Sequence, residues 1–211
     1  YPSVASKSFL ITIGDRSVTG LIARDQMVGP WQIPVSNVGV TKSTFNSTIG
    51  EVMAIGEKAP IAITNASAAA RMSICEAITN IAASAIKDIS LIKLSANWMA
   101  ASGNNDLGIS IPVGKDSMSM QTTWDDGKIK TIKSPLSLII SAFSECYDIK
   151  KTLTPQLITD VDTSLILIDL GNGKNRMGGS SFNLVHNLFD TPVPDLDDPQ
   201  LIKNLFKGIQ F

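Results

Sequence analysis

Chemistry in this chain centres on a small-residue segment, Asn65-Ala66-Ser67-Ala68-Ala69-Ala70-Arg71-Met72-Ser73-Ile74-Cys75-Glu76-Ala77-Ile78-Thr79-Asn80-Ile81-Ala82-Ala83. The alanines favour helix and allow close packing, and Asn65 is a strong N-cap type. Residues four apart share a helix face, so Glu76 and Asn80 point the same way, with Ser73 one turn earlier. A carboxylate and an amide at that spacing offer two oxygens to a hard cation such as Mg²⁺. The same spacing also describes an amphipathic helix whose polar stripe simply faces water. Other reaction centres find little support. The single histidine, His186, lies in a helical apolar pattern, and Cys75 and Cys146 sit in apolar segments without a C-x-x-C spacing. No Cys/His or Ser/His nucleophile pair emerges, and reduced thiols suit a cytosolic chain.

The elements that position these residues follow from pattern. Segments 8–13 and 18–23 read as strands of a hairpin across Gly14-Asp15-Arg16-Ser17. Another strand is expected over 35–41, and Glu51-Val52-Met53-Ala54-Ile55-Gly56-Glu57 reads as a short helix ending near a glycine. A brief strand over 61–64 feeds the small-residue helix, and 91–96 and 109–113 are further strands. Asp125-Asp126-Gly127 marks a hairpin turn inside 121–133. The apolar run 136–143 predicts a buried central strand, and 164–170 a second one. Helices are expected over 180–188 and from Pro199 to about Ile209, separated by Pro192-Val193-Pro194.

Strands and helices interleave, which places the fold in a mixed α+β or α/β class. With 211 residues the chain can bury a substantial core. The text changes after Cys146-Tyr147-Asp148, dividing the chain into 1–148 and a smaller unit, 149–211, with too few elements for a closed core of its own. A net charge of −1 gives no nucleic-acid patch. No apolar run has membrane-spanning length, and the N-terminus lacks a signal-peptide layout.

Four blocks stand out when read in order. They are Ala23-Arg24-Asp25-Gln26-Met27-Val28-Gly29-Pro30-Trp31-Gln32, the helix above, Lys93-Leu94-Ser95-Ala96-Asn97-Trp98-Met99, and Pro112-Val113-Gly114-Lys115-Asp116-Ser117-Met118-Ser119-Met120. Together with Leu153-Thr154-Pro155-Gln156-Leu157 and Leu170-Gly171-Asn172-Gly173-Lys174-Asn175, they resemble the large, single-chain phosphoribosylformylglycinamidine synthase family of purine biosynthesis. The resemblance runs essentially end to end. It implies an AIR synthase-like N-terminal subdomain, a mixed sheet with helices on one face, followed by the start of an AIR synthase-like C-terminal subdomain. It implies a cytoplasmic ATP-dependent ligase acting on formylglycinamide ribonucleotide with ammonia drawn from glutamine. Its partners would be the remaining subdomains, including a glutaminase domain. An isolated piece could pair with a second copy in their place, and without the family's catalytic histidine and cysteine motifs it should not make product alone.

Residue by residue, the resemblance places Glu76 and Asn80 on Mg²⁺-ligating positions beside a bound nucleotide, ATP or ADP. The third such position is an aspartate in the family and Asn37 here, which removes one negative charge from the ion's shell. Ser36, Lys115, Asp116 and Ser117 would contact nucleotide. For the last three, a loop past a strand suits that role, although a locally bonded turn explains them too. Gly178, Gly179 and Ser180 would meet a phosphate at a helix start, and a plain serine cap accounts for the same residues. One departure is plain. Between Ser102-Gly103-Asn104 and Asn105-Asp106-Leu107 the family carries a helical insertion that is missing here, either a deletion particular to this protein or a segment the sequence omits.

Overall fold

A computed structural model describes residues 1, 4–13, 20–32, 36–100 and 114–210. A short helix, α1 (Ser8–Ile13), is followed by strands β1 (Ile22–Arg24), β2 (Val38–Lys42) and β3 (Gly50–Glu57). Next come α2 (Ala59–Ala62), the long helix α3 (Ala66–Ile81), β4 (Lys93–Met99) and β5 (Gly114–Ser117). The hairpin β6 (Gln121–Asp125) and β7 (Ile129–Lys133) precedes β8 (Ser137–Cys146), and α4 (Ser181–His186) and α5 (Pro199–Ile209) complete the chain.

Among the described residues, six strands form one mixed sheet in the order β1-β2-β3-β8-β4-β5. All neighbours are antiparallel except β4 and β5, which run parallel. Side chains alternate across a strand, and β3 shows this directly. Gly50, Val52, Ala54 and Gly56 are buried, whereas Glu51, Met53, Ile55 and Glu57 are exposed. Helix α3 lies on the buried face, where Ala77, Ile78 and Ile81 meet Val52, Ala54, Ile140 and Ala142 in one core. The fold is therefore the mixed α/β class read from the sequence, with its long helices over one face of the sheet.

Several local expectations hold. Asn65 caps α3 through its side-chain oxygen, which accepts from the Ala68 N–H at 2.9 Å. The β6–β7 turn closes at Asp125-Asp126-Gly127, where Gly127 takes φ +88°, a conformation open to glycine, and donates its N–H to Asp125 Oδ1. Strand β8 is central, between β3 and β4. The C-terminal helix starts at Pro199 behind an Asp198 cap.

Others are corrected. Segment 8–13 is helical rather than a hairpin strand. No described strand pairs with it, and Ser6 Oγ accepts the Ser8 N–H at its start, so its backbone bonds stay local. The expected turn and the first two residues of its partner segment, 14–19 together, lie outside the described residues, as does the strand expected over 109–113. Residues 51–57 form strand β3, not a helix, because β2 and β8 flank them on both sides. Residues 61–64 continue the α2 turn instead of forming a strand, with Pro60 in the first turn, where proline costs no hydrogen bond. The apolar run 164–170 carries no strand, and Leu165, Ile166 and Leu167 are at least 83% exposed. A buried strand needs neighbours on both edges, and no described segment supplies them here.

The smaller unit does not stand apart from the sheet. Ile202 and Phe206 of α5 are buried in the same core as α3. Gln210 ties the end of α5 to the turn after α3, accepting from Ile86 N–H at 2.8 Å and donating to the Ala82 carbonyl at 2.9 Å.

Candidate functional site

The polar face of α3 meets the C-terminal end of β3. Small side chains let the two backbones approach, and Gly56 lies directly against the helix at Ser73 and Ala77. Three side chains of the helix then bond to backbone groups of residues 55–58. Ser73 Oγ, fully buried, accepts from the Lys58 N–H at 3.1 Å and donates to the Ala69 carbonyl at 2.8 Å. Glu76 Oε2 accepts from the Glu57 N–H at 2.7 Å. Asn80 Nδ2 donates to the Ile55 carbonyl at 2.9 Å, which fixes the amide and leaves its carbonyl oxygen as acceptor. The other Glu76 oxygen, Oε1, accepts from the Lys58 ammonium at 2.6 Å. The expectation that Ser73, Glu76 and Asn80 share one face is met.

Lys58, Glu76 and Asn80 open into a cleft of about 370 Å³ whose opposite wall comes from the C-terminal segment. An ion-pair array ties that wall to α3. Arg71 donates to both oxygens of Asp195, at 2.7 and 2.6 Å. Lys174 and Arg176 both donate to Asp197, at 2.8 Å and 3.1–3.2 Å, and Arg176 also reaches the Asp195 carbonyl at 2.9 Å. The hydrogen bonds from Arg71 hold the Asp195 carboxyl below the usual aspartate range, against the opposing effect of burial. Hydrogen bonds from Lys174 and Arg176 do the same for Asp197. Cys75 also lines the cleft, but burial and then the nearby Asp195 charge push its thiol up, so it stays protonated and weakly nucleophilic.

A pH dependence follows. A carboxyl depressed in the folded state stabilises it above the unfolded value of ~3.9, and that contribution disappears as pH falls through the folded value. Asp195→Asn is therefore expected to lower stability at neutral pH by on the order of 1 kcal/mol, reduced by the solvent that reaches Arg71. It should also flatten the loss of stability below pH ~4, where the wild-type carboxyl protonates. Urea unfolding measured from pH 3 to 7 checks this, and parallel curves for both proteins would refute it.

The remaining residues singled out in the sequence lie elsewhere. Ser36 is buried, its N–H donating to Gln26 O at 2.6 Å and its hydroxyl to Val38 O at 3.3 Å, while Asn37 is exposed at the start of β2. Lys115, Asp116 and Ser117 do not form a loop. They are edge strand β5, paired with Asn97, Trp98 and Met99 of β4, because the parallel register takes up their backbone groups. Gly178 is pinned by its N–H to the Pro192 carbonyl at 2.8 Å, and Ser180 caps α4 by accepting from Asn183 N–H at 3.2 Å. Gly179 takes φ +75° with its Cα turned onto the Ile61 backbone, where a Cβ would sit 3.0 Å from Ile61 N. Gly179 and Ser180 border a second cavity of about 270 Å³ lined mainly by apolar groups such as Pro60, Ile63 and Leu184.

Sequence reasoning missed Lys58, Arg71, Lys174, Arg176, Asp195 and Asp197. The Arg71–Asp195 pair spans 124 positions, and nothing local to either residue announces the other. Among the described residues, no three His, Cys, Asp or Glu side chains gather as a metal cluster. A cation here would rest on one carboxylate and amide oxygens, a donor set that suits a hard ion held at modest charge. Among the described residues, no helix is long and apolar enough to cross a membrane.

Comparison with known proteins adds kinship to this geometry. A family model described as the FGAR-AT PurM_N-like domain matches residues 6–106 and 104–145, well over half of the chain. The two matched stretches overlap at residues 104–106. Among solved structures, the chain is similar to Thermotoga maritima PurL complexed with ATP, with 12% identity, TM-score 0.40, 57% of this chain and 21% of that one. PurLQS from the same organism gives 11%, 0.42, 57% and 21%, and PurL complexed with ADP gives 14%, 0.39, 57% and 22%. The chain thus spans about a fifth of the length of the PurL chains it resembles.

Proposed function

The chain belongs to the FGAR-AT PurM_N-like domain family, and on that premise we propose that it is a piece of a phosphoribosylformylglycinamidine synthase that supplies a nucleotide- and Mg²⁺-binding shelf. The whole enzyme would be a cytoplasmic ligase that converts formylglycinamide ribonucleotide to its amidine, using ATP and ammonia delivered from glutamine by a glutaminase partner. This piece alone would make no product, because the family's catalytic histidine and cysteine motifs would be supplied by other parts of the whole enzyme.

The observation that carries the reading is the meeting of Glu76 and Asn80, one helical turn apart, in a cleft that is also lined by Lys58, Lys174 and Arg176. Glu76 and the Asn80 carbonyl oxygen would hold Mg²⁺, whereas Asn37, the third position of the family pattern, lies outside the lining of this cleft and would reach the ion only from beyond it. The ion would neutralise phosphate charge and orient the nucleotide. The cationic side chains then favour the same anionic group from the protein side. Lys115, Asp116 and Ser117 on the sheet edge, and Ser36 beside β2, are proposed as outer contacts that neighbouring subdomains complete. The Gly178-Gly179-Ser180 corner would approach a phosphate from the second cavity.

A second reading has its own support. The face of the sheet opposite α3 leaves Met53, Ile55 and Phe143 exposed at 46, 59 and 42% on adjacent strands. An apolar strip of this kind suits contact with a homologous subdomain or a second copy, so the piece could serve only to complete an interface.

Calorimetry separates the two. The full chain titrated with ADP is expected to bind in the presence of Mg²⁺, with affinity reduced about tenfold or more in Glu76→Gln. Both proteins should melt cooperatively, which shows that the variant is folded. No binding heat from folded wild type, with Mg²⁺ present or absent, would leave only the interface role.

A further inference from the structure

The cations in and beside the cleft differ in what they are bound to. Lys174 and Arg176, which line it, are held by Asp197, and the neighbouring Arg71 by Asp195. Lys58 alone among these four pairs with Glu76, the carboxylate proposed for the metal. Its geometry is that of a resident ion. Glu76 Oε2 accepts from the Glu57 N–H at 2.7 Å and Oε1 from the Lys58 ammonium at 2.6 Å, so the ammonium already supplies the positive charge at this carboxylate. The Lys58 main chain is anchored by its N–H on the buried Ser73 hydroxyl at 3.1 Å. What can move is the four-carbon stem, whose side chain is 36% exposed and borders the cleft.

Building on the reading of the cleft above, we infer that Lys58 is an internal counter-ion which a divalent cation must displace from Glu76. Its freed ammonium then pairs with the phosphate of the bound nucleotide. Two cations repel each other at one carboxylate, so metal and ammonium compete for it. The exchange also avoids waste of charge. Before loading, the ammonium keeps the half-buried carboxylate neutralised, and after loading it faces the anion that accompanies the metal. Cation and phosphate binding are thereby coupled, and by linkage each strengthens the other by the same factor.

The test uses the full chain and Mn²⁺ alone, followed by the resonance signal of the free ion, with Lys58→Met and Lys58→Arg as variants. Lys58→Met keeps the length of the stem and removes the charge. It should bind Mn²⁺ about tenfold or more tightly than wild type, whereas Lys58→Arg, still able to pair with Glu76, should resemble wild type. Adding Glu76→Gln to Lys58→Met should abolish the gain. In calorimetry with ADP, the increase in nucleotide affinity brought by Mn²⁺ should shrink severalfold in Lys58→Met. Thermal melts establish that each variant is folded, and Lys58→Arg against wild type carries the comparison if the methionine variant is not.

In that case Lys58→Arg must still show Mn²⁺ and ADP strengthening each other as in wild type, and independent binding would overturn the inference. Mn²⁺ bound no more tightly by folded Lys58→Met than by wild type, or a gain that persists without the Glu76 carboxylate, would overturn it as well. Failure of the shelf itself reads differently: folded wild type would show no ADP heat with Mg²⁺ present.

Discussion

Gly56→Val is expected to cost the fold about 4 kcal/mol or more, enough to leave a marginal domain largely unfolded. Gly56 is the point where β3 and α3 touch backbone to backbone. A Cβ built there would fall well inside contact of the Ser73 carbonyl and 2.5 Å from the Ala77 nitrogen. Neither atom can rotate away, so the helix would have to lift off the sheet. That movement would open the core formed by Val52, Ala54, Ile78, Ile81 and Ile140. It would also pull Glu76 from the Glu57 N–H and Ser73 from the Lys58 N–H, so any cation or nucleotide binding in the cleft should vanish with it. Gly208→Ala is the control. Nothing lies within 4 Å of its added Cβ in α5, and alanine there should stabilise slightly, by about 0.5–1 kcal/mol. Urea titration followed by circular dichroism reads both, and a wild-type midpoint for Gly56→Val would refute the packing argument.

Phe206→Ala should cost about 3–5 kcal/mol, the usual range for deleting a buried aromatic ring. Phe206 is 2% exposed and, with Ile202, closes the core over α3 from a helix more than a hundred residues further along the chain. Helix α5, part of the 149–211 unit read from the sequence, thus contributes to the packing of the sheet–helix unit. If α5 is integral, Phe206→Ala shifts the midpoint of a single cooperative transition, and the signals of helix and sheet fall together. If α5 were a separate unit resting on the surface, the variant would loosen residues 199–210 to proteolysis while the rest unfolded at the wild-type midpoint.

The sequence carried what is decided within a few residues. The α3 helix with its Asn65 cap, the Asp125-Asp126-Gly127 turn and the start of α5 behind Asp198 and Pro199 all rest on bonds between near neighbours. The placing of Glu76 and Asn80 on one face is equally local, since helix geometry alone sets it. The family was legible too, because several blocks keep their residue types in order along the chain.

Tertiary structure decided the rest. Seven residues from Glu51 to Glu57 contain no period long enough to separate helix from strand, and their state came from β2 and β8 on either side. The run at 164–170 has the local marks of a buried strand, yet residues 164–169 stay exposed, since no described segment pairs with them. Lys115 to Ser117 became a strand through the register of β4. The cleft itself depends on Arg71 meeting Asp195 and on Lys58 meeting Glu76. A charge attracts any opposite charge that folding brings near it, and chain composition does not say which one arrives. Caps and turns are written in neighbouring residues, whereas strand partners and ion pairs are chosen by how distant segments close on one another.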